Sequence, residues 1–486
     1  MAQINQVINN IVWGPVMLSL LIGTGLILSI RLHFFQFRKF GFIIKNTIGS
    51  LFSDKQHKKG NAGVTPFQAV ATAMAGTIGT GSIAGVATAI VSGGAGAIFW
   101  MWVSALLGMI TKYSEILLSL NYREKNTQGQ WSGGPMYYIE KGLKCKWLAV
   151  MFAFFVVIAS FGIGNATQGN SISAALESTI GVNPLITAIV LLILVGAVIL
   201  GGIKRIASVN EKLVPFMSLV YIVTAFIALI LNLKNIPAAF SQIFREAFTF
   251  RAIAGGVGGY GIFSAMRYGF ARGVFSNEAG LGSAPIAHAA SSTEEPVEQA
   301  FWGVFEVFFT TIIICTCTAL VILSTGTIST GLSGSSLGIA AYNKAVPGIG
   351  GIAVTVATTL FATSSMLGWA YYGEKAMEYL FRGRISDAGI VKAIKIYRTV
   401  YTLVVFVGAF GGSGSLELIW QISDTMNGLM ALPNLIGIFG LMKIVEKKTK
   451  DYFDRMDPET EGGKKAGRKT DGGKPGKVPV FQFTMH

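Results

Sequence analysis

Residues 75–85 read AGTIGTGSIAG and lie in the middle of an apolar segment that runs from about Val64 to Ile90. This segment is long enough to cross a bilayer, which takes about 20 apolar residues. Each glycine inside a helix costs roughly 1 kcal/mol relative to alanine, so the centre of this span is poorly suited to a continuous helix. A glycine-interrupted span is typical of transporter binding sites built from broken helices. The stretch therefore predicts a helix break that binds a ligand.

The composition of the chain is that of a membrane protein. Of its 486 residues, 52% are hydrophobic and 13% are charged, whereas soluble domains carry about 25% charged residues. The net charge of +15 is expected of basic cytoplasmic loops, so the predicted surroundings are the lipid bilayer and no nucleic acid is expected. No nucleotide-binding loop and no nucleophile elbow occurs in the sequence. We therefore expect no enzyme and no cofactor.

The apolar segments predict an all-α polytopic membrane protein with eleven transmembrane helices. The predicted spans are 11–30, 64–90, 97–120, 147–172, 184–201, 213–231, 255–282, 300–323, 352–380, 396–410 and 416–445. The seventh span is irregular because it contains nine glycines. With these spans, 20 Lys and Arg residues lie on one side of the membrane and 4 on the other. Because basic loops stay in the cytoplasm, the N-terminus is predicted outside and the C-terminus in the cytoplasm.

Spans two to six and seven to eleven form two sets of five, and each set opens with a glycine-rich segment. Since five is odd, the second set enters the membrane from the opposite side, which is the pattern of an inverted repeat. Four regions are predicted: 1–60 with one extra span and a basic interfacial helix, 61–232 and 233–445 with the two repeats, and 446–486 as a charged cytoplasmic tail that we expect to be disordered.

The first break supplies the candidate sodium ligands. A broken helix frees carbonyl groups that can bind Na⁺, and those near Ala75 and Ile78 are the candidates. Thr363 and Ser364, at mid-depth of the ninth span, would add hard hydroxyl oxygens. Alternatively, these hydroxyls bond back to their own helix.

The same break supplies the candidate substrate ligands. Backbone N–H groups of Gly79, Thr80 and Gly81 would bind a carboxylate at a half-helix N-terminus, and Thr77 would add a hydroxyl. The glycines also fit close helix packing. The other candidates are Gln168, Asn170, Gly273, Asn277, Met366 and Trp369. For the amides the alternative is a bond between helices, and for Met366 and Trp369 it is core packing.

Buried carboxylates offer a different coupling ion. Glu115, Glu306 and Asp424 lie in apolar segments, and intramembrane carboxylates can relay protons. A proton-coupled amino-acid symporter is therefore the alternative function. An ion channel with a glycine-rich filter is a weaker alternative, because channels usually assemble identical subunits around a pore.

Four stretches of the sequence resemble one known family. They are GGAGAIFWMWVSALLG at 93–108, GTIGTG at 76–81, GGPMYYI at 133–139 and SNEAGLGSAP at 276–285. The first looks like the signature of the alanine or glycine:cation symporter family, the prokaryotic sodium:alanine symporters. The resemblance implies a leucine-transporter-type fold, in which two inverted five-helix repeats follow one extra helix. It also implies cotransport of alanine or glycine with Na⁺, or with H⁺ in some members.

The resemblance assigns roles to residues of this chain. It implies a sodium site at Ala75, Ile78, Thr363 and Ser364, and a carboxylate site at Gly79–Gly81. The amine end of the substrate would face Asn170 and Asn277. The expected function is sodium-coupled symport of small neutral amino acids, alanine or glycine, into the prokaryotic cell by alternating access.

Overall fold

The computed structural model describes residues 2–51, 64–249, 260–411 and 417–456, and this part of the chain is almost entirely helical. The helices are α1 (Ala2–Val12), α2 (Pro15–Arg31), α3 (Phe35–Arg38), α4 (Phe40–Asn46), α5 (Pro66–Thr77), α6 (Ala84–Gly93), α7 (Gly96–Tyr122), α8 (Pro135–Gly142), α9 (Lys146–Phe161), α10 (Thr167–Ile180), α11 (Pro184–Ile199), α12 (Gly202–Leu231), α13 (Ile236–Ala247), α14 (Tyr260–Asn277), α15 (Ala284–His288), α16 (Pro296–Val307), α17 (Thr316–Thr325), α18 (Gly334–Ala345), α19 (Gly350–Phe381), α20 (Asp387–Phe410) and α21 (Glu417–Met456). Strands β1 (Glu124–Lys125) and β2 (Trp131–Ser132) form an antiparallel hairpin.

Seven helical stretches in the described residues are long and apolar enough to cross a membrane. They are Val7–Arg31, Gly96–Tyr122, Lys146–Ile180, Gly202–Leu231, Pro296–Thr325, Gly350–Phe381 and Gln421–Met456. The four other predicted spans coincide with the pair α5 and α6, with α11, with the pair α14 and α15, and with α20. A polytopic all-helical protein is confirmed, whereas the count of eleven spans stays a prediction.

The second predicted span is broken within the glycine-rich stretch, as expected. Helix α5 begins at a capping box, in which the Thr65 hydroxyl accepts from the Gln68 N–H and the Gln68 side chain accepts from the Thr65 N–H, each at 3.1 Å. The helix ends at Thr77, and α6 begins only at Ala84. Between them, Gly79 is extended, with φ −118° and ψ −161°. The backbone there cannot complete the helical hydrogen-bond ladder.

The seventh predicted span is also broken, but the break does not occur at the candidate glycine Gly273. Helix α14 is continuous through Gly269 and Gly273, and the break follows it, at residues 278–283. Glu278, Gly280 and Gly282 have positive φ angles of 55°, 90° and 80°. The earlier glycines serve close packing instead, since a Cβ on Gly269 would lie 2.5 Å from the Ala97 carbonyl oxygen of α7. Residues 255–259 lie outside the described part of the chain.

The fourth predicted span carries a π-helical turn, Gly162–Ala166, between α9 and α10. Such turns are rare and occur mostly at functional sites. Gly408 lets α20 approach this turn closely, because a Cβ there would lie 2.6 Å from the Ala166 Cα and 2.7 Å from its carbonyl oxygen. The span continues to Ile180, beyond the predicted end at residue 172.

This close approach predicts the effect of one substitution. We expect Gly408→Ala to destabilise the protein by about 1–3 kcal/mol, the usual cost of overpacking, because the Ala166 backbone atoms cannot move away as a flexible side chain could. The measurement is the apparent melting temperature in detergent. Gly23→Ala is the matched control, because a Cβ there would have nothing within 4 Å. Equal melting temperatures for both variants would contradict the predicted contact.

Two regional predictions need correction. The basic stretch 31–60 is not one interfacial helix in its described part: it forms α3, α4 and a 3₁₀ turn at Ile48–Ser50, while residues 52–60 lie outside the description. Phe35 is buried and packs against Tyr113 and Phe453, with ring centroids 5.2 and 5.6 Å apart. The predicted tail does not begin as a disordered segment at residue 446, since α21 continues to Met456. Packing of Tyr452 against Phe301 at 5.7 Å holds this extension.

The two breaks lie side by side in the core. Helix α14 packs along both α6 and α7, while α5 packs against α12, α15 and α19. The breaks themselves are joined by a hydrogen bond of 3.1 Å between the hydroxyls of Ser82 and Ser276. A Cβ on Gly81 would lie 2.7 Å from the Phe275 ring, so glycine permits this approach. The two broken segments are therefore neighbours in the core.

Candidate functional site

The carbonyl end of α5 faces two serine hydroxyls of α19. The Ser365 hydroxyl donates to the Ala75 and Gly76 carbonyls at 3.1 and 3.0 Å. The Ser364 hydroxyl lies 3.4 Å from the Ala75 carbonyl and donates to the Phe361 carbonyl at 2.9 Å. Both serines and Ala75 have no exposed surface. These groups form a cluster of neutral oxygens without a carboxylate.

The structure brings Ser364 to this cluster but does not bring Thr363. Thr363 is half-buried, and its hydroxyl makes no hydrogen bond within the described residues. The reason is helical geometry: positions 361, 364 and 365 are spaced i, i+3, i+4 and share one face, whereas position 363 points elsewhere. Ser365, which we did not include among the ligands, takes the place predicted for Thr363. Ile78, the other predicted ligand, is fully buried and directly follows α5.

Gly79 lies between the serines and α10. A Cβ at this position would clash with the Ser365 hydroxyl oxygen and would lie 3.5 Å from the Gln168 side-chain oxygen. The next residue, Thr80, donates its N–H to that same Gln168 oxygen at 3.3 Å. The Gly79 N–H itself contacts the Thr77 carbonyl at 3.1 Å. One backbone N–H of the break, that of Thr80, therefore already donates to an oxygen acceptor from another helix.

The two predicted threonines behave differently. The Thr77 hydroxyl donates to the Ala73 carbonyl at 2.8 Å, so it is satisfied within its own helix. The Thr80 hydroxyl is fully buried and has no hydrogen-bond partner within the described residues. A buried polar atom without a partner is costly, which makes Thr80 the better candidate for contact with a ligand.

Of the two predicted amides in α10, the structure brings Gln168 to the first break. Its side-chain nitrogen donates to the Ile163 carbonyl at 2.9 Å, within the π turn, and this contact directs its oxygen at Thr80. Asn170 is half-buried. Two residues correspond to about 200° of helical rotation, so Asn170 lies on the opposite side of α10 from Gln168. The structure therefore separates this predicted pair.

Asn277 lies at the second break, but its side chain supports the backbone there. Its amide nitrogen donates to the Thr311 hydroxyl at 3.1 Å, and its oxygen accepts from the Ala279 N–H at 2.9 Å. Its carbonyl oxygen accepts from the Lys112 ammonium at 2.9 Å. Gly273 faces α7, where a Cβ would lie 3.1 Å from the Ser104 hydroxyl. Gly273 therefore serves helix packing in this arrangement.

Met366 and Trp369 belong to the wall between α19 and the π turn. Both are buried, and the Met366 carbonyl accepts from the Tyr401 hydroxyl at 2.9 Å. Trp369 packs directly on Gly164, where a Cβ would clash with the indole side chain. The indole also lies near Glu278 in the second break. Trp369 thus connects α19, the helix that carries the two serines, to the second break.

One side of the breaks is closed by Phe275 and an ion pair. Phe275 is 6% exposed and lies against Gly81. Beyond it, the Arg272 guanidinium makes two hydrogen bonds to the Asp424 carboxylate at 2.9 and 2.7 Å, and lies 5.6 Å from the Phe275 ring. Arg272 pairs with Asp424 because α21 brings this carboxylate next to α14. We call Phe275, Arg272 and Asp424 the first cover.

The other side is closed where α5 begins. Val64 forms a parallel bridge with Ser291. The Arg123 guanidinium donates to carbonyls of the same segment, at 3.1 Å to Ala289 and 2.5 Å to Ser291, and stacks over Trp131 at 4.3 Å. Burial lowers the pKa of Arg123 to about 10, so it stays charged at neutral pH. We call Val64, Arg123 and the segment at Ser291 the second cover.

Comparison with known proteins now identifies the family. A sequence profile of the sodium:alanine symporter family matches residues 1–466. The chain belongs to this family. The sodium/alanine symporter AgcS of Methanococcus maripaludis is 47% identical to this family member over 453 residues, which cover 92% of this chain and 96% of the relative.

Solved structures resemble the symporter in fold. A Na⁺-coupled sialic acid symporter in a substrate-bound outward-open state matches with a TM-score of 0.56 and 13% identity, over 88% of this chain and 87% of that one. MhsT in complex with L-phenylalanine matches with a TM-score of 0.54 and 15% identity, over 81% and 99%. Both have the leucine-transporter-type fold, which supports the architecture implied by the resemblance.

Family membership settles the class of protein. The chain is a multi-pass membrane transporter of the prokaryotic cell membrane, and it is not an enzyme. The family supports Na⁺-coupled symport of an amino acid. The two predicted breaks lie together in the core of this transporter, with covers on both sides.

Proposed function

We propose that the symporter carries alanine or glycine into the cell together with Na⁺, by alternating access. One observation carries the proposal. In a single break, buried carbonyl and hydroxyl oxygens around Ala75 and Ser365 lie next to N–H groups of Gly79–Gly81. Oxygens suit a cation and N–H groups suit a carboxylate, so one short segment can bind both ends of the cotransported pair.

The proposed Na⁺ site consists of the carbonyls of Ala75 and Ile78 and the hydroxyls of Ser364 and Ser365, with the Gly76 carbonyl beside them. The Ser365 hydroxyl now donates to carbonyls of this cluster, whereas the Ser364 hydroxyl donates to the Phe361 carbonyl of its own helix at 2.9 Å. A hydroxyl has two acceptor lone pairs besides its proton, so rotation of the Ser365 proton away from the cluster makes its oxygen available to Na⁺. No side chain with a formal negative charge is needed, which suits a weakly bound ion that must be released.

The proposed carboxylate site uses the N–H groups at the start of the second half-helix. The Gln168 side-chain oxygen accepts from the Thr80 N–H at 3.3 Å, and a substrate carboxylate oxygen would bind in its place. Substrate would displace this amide, and the Thr80 hydroxyl would gain a partner. The partial positive charge of the α6 N-terminus favours the carboxylate. For the substrate amine, Asn277 and Asn170 remain proposals, and the contacts of Asn277 require it to rearrange.

The walls of the site favour a small side chain. Met366, Trp369 and Phe275 are at most 6% exposed and surround the breaks with bulky groups. Adding even one methylene to a well-packed space typically costs 1–3 kcal/mol, so leucine would be strongly disfavoured relative to alanine. Alanine and glycine are therefore the proposed substrates.

Alternating access follows from the two covers. Both are closed here, and the residues of the breaks have almost no exposed surface. With the predicted orientation, the first cover faces the outside and the second faces the cytoplasm, where the C-terminus also lies. Na⁺ and substrate couple because they share the α5–α6 break, and each ligand favours the arrangement in which it binds more tightly.

The first cover predicts how fast substrate escapes. We expect Asp424→Asn to speed release of bound alanine by roughly tenfold, because a charge-assisted pair contributes about 1.5–3 kcal/mol. Loss of radiolabelled alanine from purified protein measures this rate. Glu295→Gln is the matched control, since it removes an ion pair with Arg455 whose side chains are 27% and 65% exposed. An unchanged release rate in Asp424→Asn would contradict the role of the first cover.

Uptake into proteoliposomes tests the function and separates the alternatives. We expect an inward Na⁺ gradient at equal pH to drive accumulation of labelled alanine, with competition by alanine and glycine but not by leucine. Accumulation that responds only to a pH gradient would favour a proton-coupled symporter. Flux that neither saturates nor shows counterflow would favour an ion channel.

A further inference from the structure

Three glutamates surround the second break, and the proposed site uses none of them. Glu115 lies on α7, Glu278 lies in the break itself, and Glu306 lies on α16. Each is at most 1% exposed. Burial of a carboxylate in its charged form is costly unless a cation or hydrogen-bond donors compensate it. The contacts of each carboxylate therefore indicate its protonation state.

Glu306 forms an ion pair with Lys112, the cation in the described part of this cluster. One of its oxygens is 3.7 Å from the Lys112 ammonium, and the other is 2.7 Å from the His288 Nε2. The His288 Nδ1 faces the Gln299 side-chain nitrogen at 3.0 Å. The Gln299 oxygen accepts from hydroxyls, including that of Ser291 at 3.1 Å, so its nitrogen must be the donor to Nδ1. The hydrogen-bond network thus assigns a His288 tautomer that accepts at Nδ1 and donates from Nε2 to Glu306, and the nearby Lys112 ammonium favours a negative charge on Glu306 over one on the other two glutamates.

Among the described residues, Glu278 and Glu115 then share one cation, Lys112, which is already paired with Glu306. Glu278 interacts electrostatically with Lys112 and Glu306, and it accepts from the Ser283 hydroxyl at 2.7 Å and reaches the Trp369 indole. With three ionised glutamates and one lysine, the described part of the cluster would hold two negative charges in excess. Buried carboxylates in such surroundings take up protons instead.

The two oxygens of Glu115 differ in a way that locates a proton. Its Oε1 accepts from the Gly280 N–H at 3.0 Å and from the Asn434 amide at 2.5 Å. The Asn434 orientation is fixed, because its oxygen accepts from the Tyr138 hydroxyl and its nitrogen also donates to the Gly280 carbonyl at 2.9 Å. Oε1 is therefore an acceptor. Glu115 Oε2 is fully buried and has no hydrogen-bond partner within the described residues.

A proton fits Glu115 better than a metal ion does. No three His, Cys, Asp or Glu side chains in the described ranges converge on a common metal position. The charged and titratable groups that face the cluster are Lys112 on α7, Tyr138 on α8, Glu278 in the break, His288 on α15, Glu306 on α16 and Tyr372 on α19. Helix α21 contributes the neutral Asn434. Lys112 is already shared among carboxylates, and it would repel a second metal cation.

We propose that Glu115 holds a proton on Oε2 in this closed arrangement, and that the proton passes to water when the second break opens. The Gly280 N–H ties Glu115 to the break, where Glu278 and Gly280 have left-handed φ angles of 55° and 90°. Movement of this strained segment away from α7 would remove a donor from Glu115 and admit water. This proposal rests on the proposed function in one respect, namely that alanine is the ligand whose binding drives closure.

Infrared spectroscopy of the purified wild-type protein tests for the proton itself. We expect an absorption band of a protonated carboxylic acid near neutral pH, and we expect Glu115→Gln to lose it. Glutamine keeps an oxygen acceptor for Gly280 and Asn434 and places an amide where the proton was. Glu177→Gln on α10 is the control, because Glu177 is exposed. A spectrum that Glu115→Gln leaves unchanged would overturn the proposal. If this variant fails to fold, Glu115→Asp should shift the same band.

The pH dependence of alanine binding tests the link to closure. If closure takes up a proton, alanine affinity at saturating Na⁺ should fall as pH rises through the pKa of the open state, by up to about tenfold per pH unit. We expect Glu115→Gln to bind independently of pH and Glu177→Gln to behave like wild type. A wild-type affinity that does not change with pH, or a dependence that Glu115→Gln retains, would overturn the link. If alanine binding does not depend on Na⁺ at any pH, the proposed function is refuted. The infrared spectrum would still show whether Glu115 carries a proton.

Discussion

Removing both serine hydroxyls of the proposed cation site is expected to lower the apparent Na⁺ affinity of alanine uptake by roughly a hundredfold. In Ser364→Ala with Ser365→Ala, Na⁺ would lose two oxygen ligands while the carbonyls of Ala75 and Ile78 remain. Interactions with a charged partner contribute about 1.5–3 kcal/mol each, so about 3 kcal/mol is a modest expectation for the pair. The Na⁺ concentration that gives half-maximal uptake in proteoliposomes measures the effect.

Thr363→Ala is the matched control for this double variant. It also removes a hydroxyl from the middle of α19, but that hydroxyl makes no hydrogen bond to the break within the described residues. We expect its Na⁺ dependence to stay within about twofold of wild type, the effect of a substitution worth less than 0.5 kcal/mol. A large loss of Na⁺ affinity in Thr363→Ala with none in the double variant would restore the ligand set expected from the sequence.

Gly79→Ala is expected to reduce both Na⁺-dependent uptake and alanine affinity by tenfold or more. A Cβ at this position would clash with the Ser365 hydroxyl and approach the Gln168 oxygen to 3.5 Å. Both neighbours belong to the proposed ligands, so relief of the clash would displace either the cation site or the carboxylate site. Overpacking of this kind costs about 1–3 kcal/mol, which is roughly fivefold to 150-fold in an equilibrium constant, and tenfold corresponds to about 1.4 kcal/mol.

Equilibrium binding of labelled alanine to purified Gly79→Ala, measured at several Na⁺ concentrations, distinguishes a loss of Na⁺ affinity from a loss of alanine affinity. Gly23→Ala is the control for substitution of a glycine in an apolar helix, because its Cβ would meet nothing within 4 Å. Wild-type binding by Gly79→Ala would show that this part of the break does not touch the ligands. A variant that melts far below wild type would instead report on packing, so the melting temperature is measured alongside.

The sequence predicts the first break well because its signal is local. Glycines and small residues fill the centre of an otherwise apolar span, and a continuous helix is poor there whatever surrounds it. The adjacent carbonyls, such as that of Ala75, follow from the position of the break. The burial of Gln168 is also predictable, since an amide in a membrane span must face other protein, but the same reasoning does not distinguish Gln168 from Asn170.

The second break shows where this reasoning fails. Glycine content points to residues 255–273, but two of these glycines, Gly269 and Gly273, pack against α7 inside a continuous helix. The break occurs at 278–283, where the positive φ of Glu278 depends on tertiary contacts such as those of Lys112 and Ser283. Glycine signals both close packing and chain breaks, and only the neighbouring helices decide which.

Contacts between residues far apart in the chain are also not predictable from the sequence. The Arg272–Asp424 pair joins residues 152 positions apart, and nothing near Arg272 in the sequence identifies Asp424 as its partner. The choice between Thr363 and Ser365, in contrast, depends on a local pattern in the sequence. Helical spacing from Phe361 favours positions 364 and 365, so a prediction based on faces rather than adjacent residues would have found Ser365.

Shared use of one break by ion and substrate is the central claim. It is tested most directly by equilibrium binding of labelled alanine to the purified wild-type protein, with Na⁺ replaced by K⁺ at constant ionic strength and pH. We expect binding to strengthen with Na⁺, and Na⁺ affinity to rise by the same factor when alanine is present, because coupling between two sites is reciprocal. Alanine affinity that is equal in Na⁺ and K⁺ would contradict the shared site.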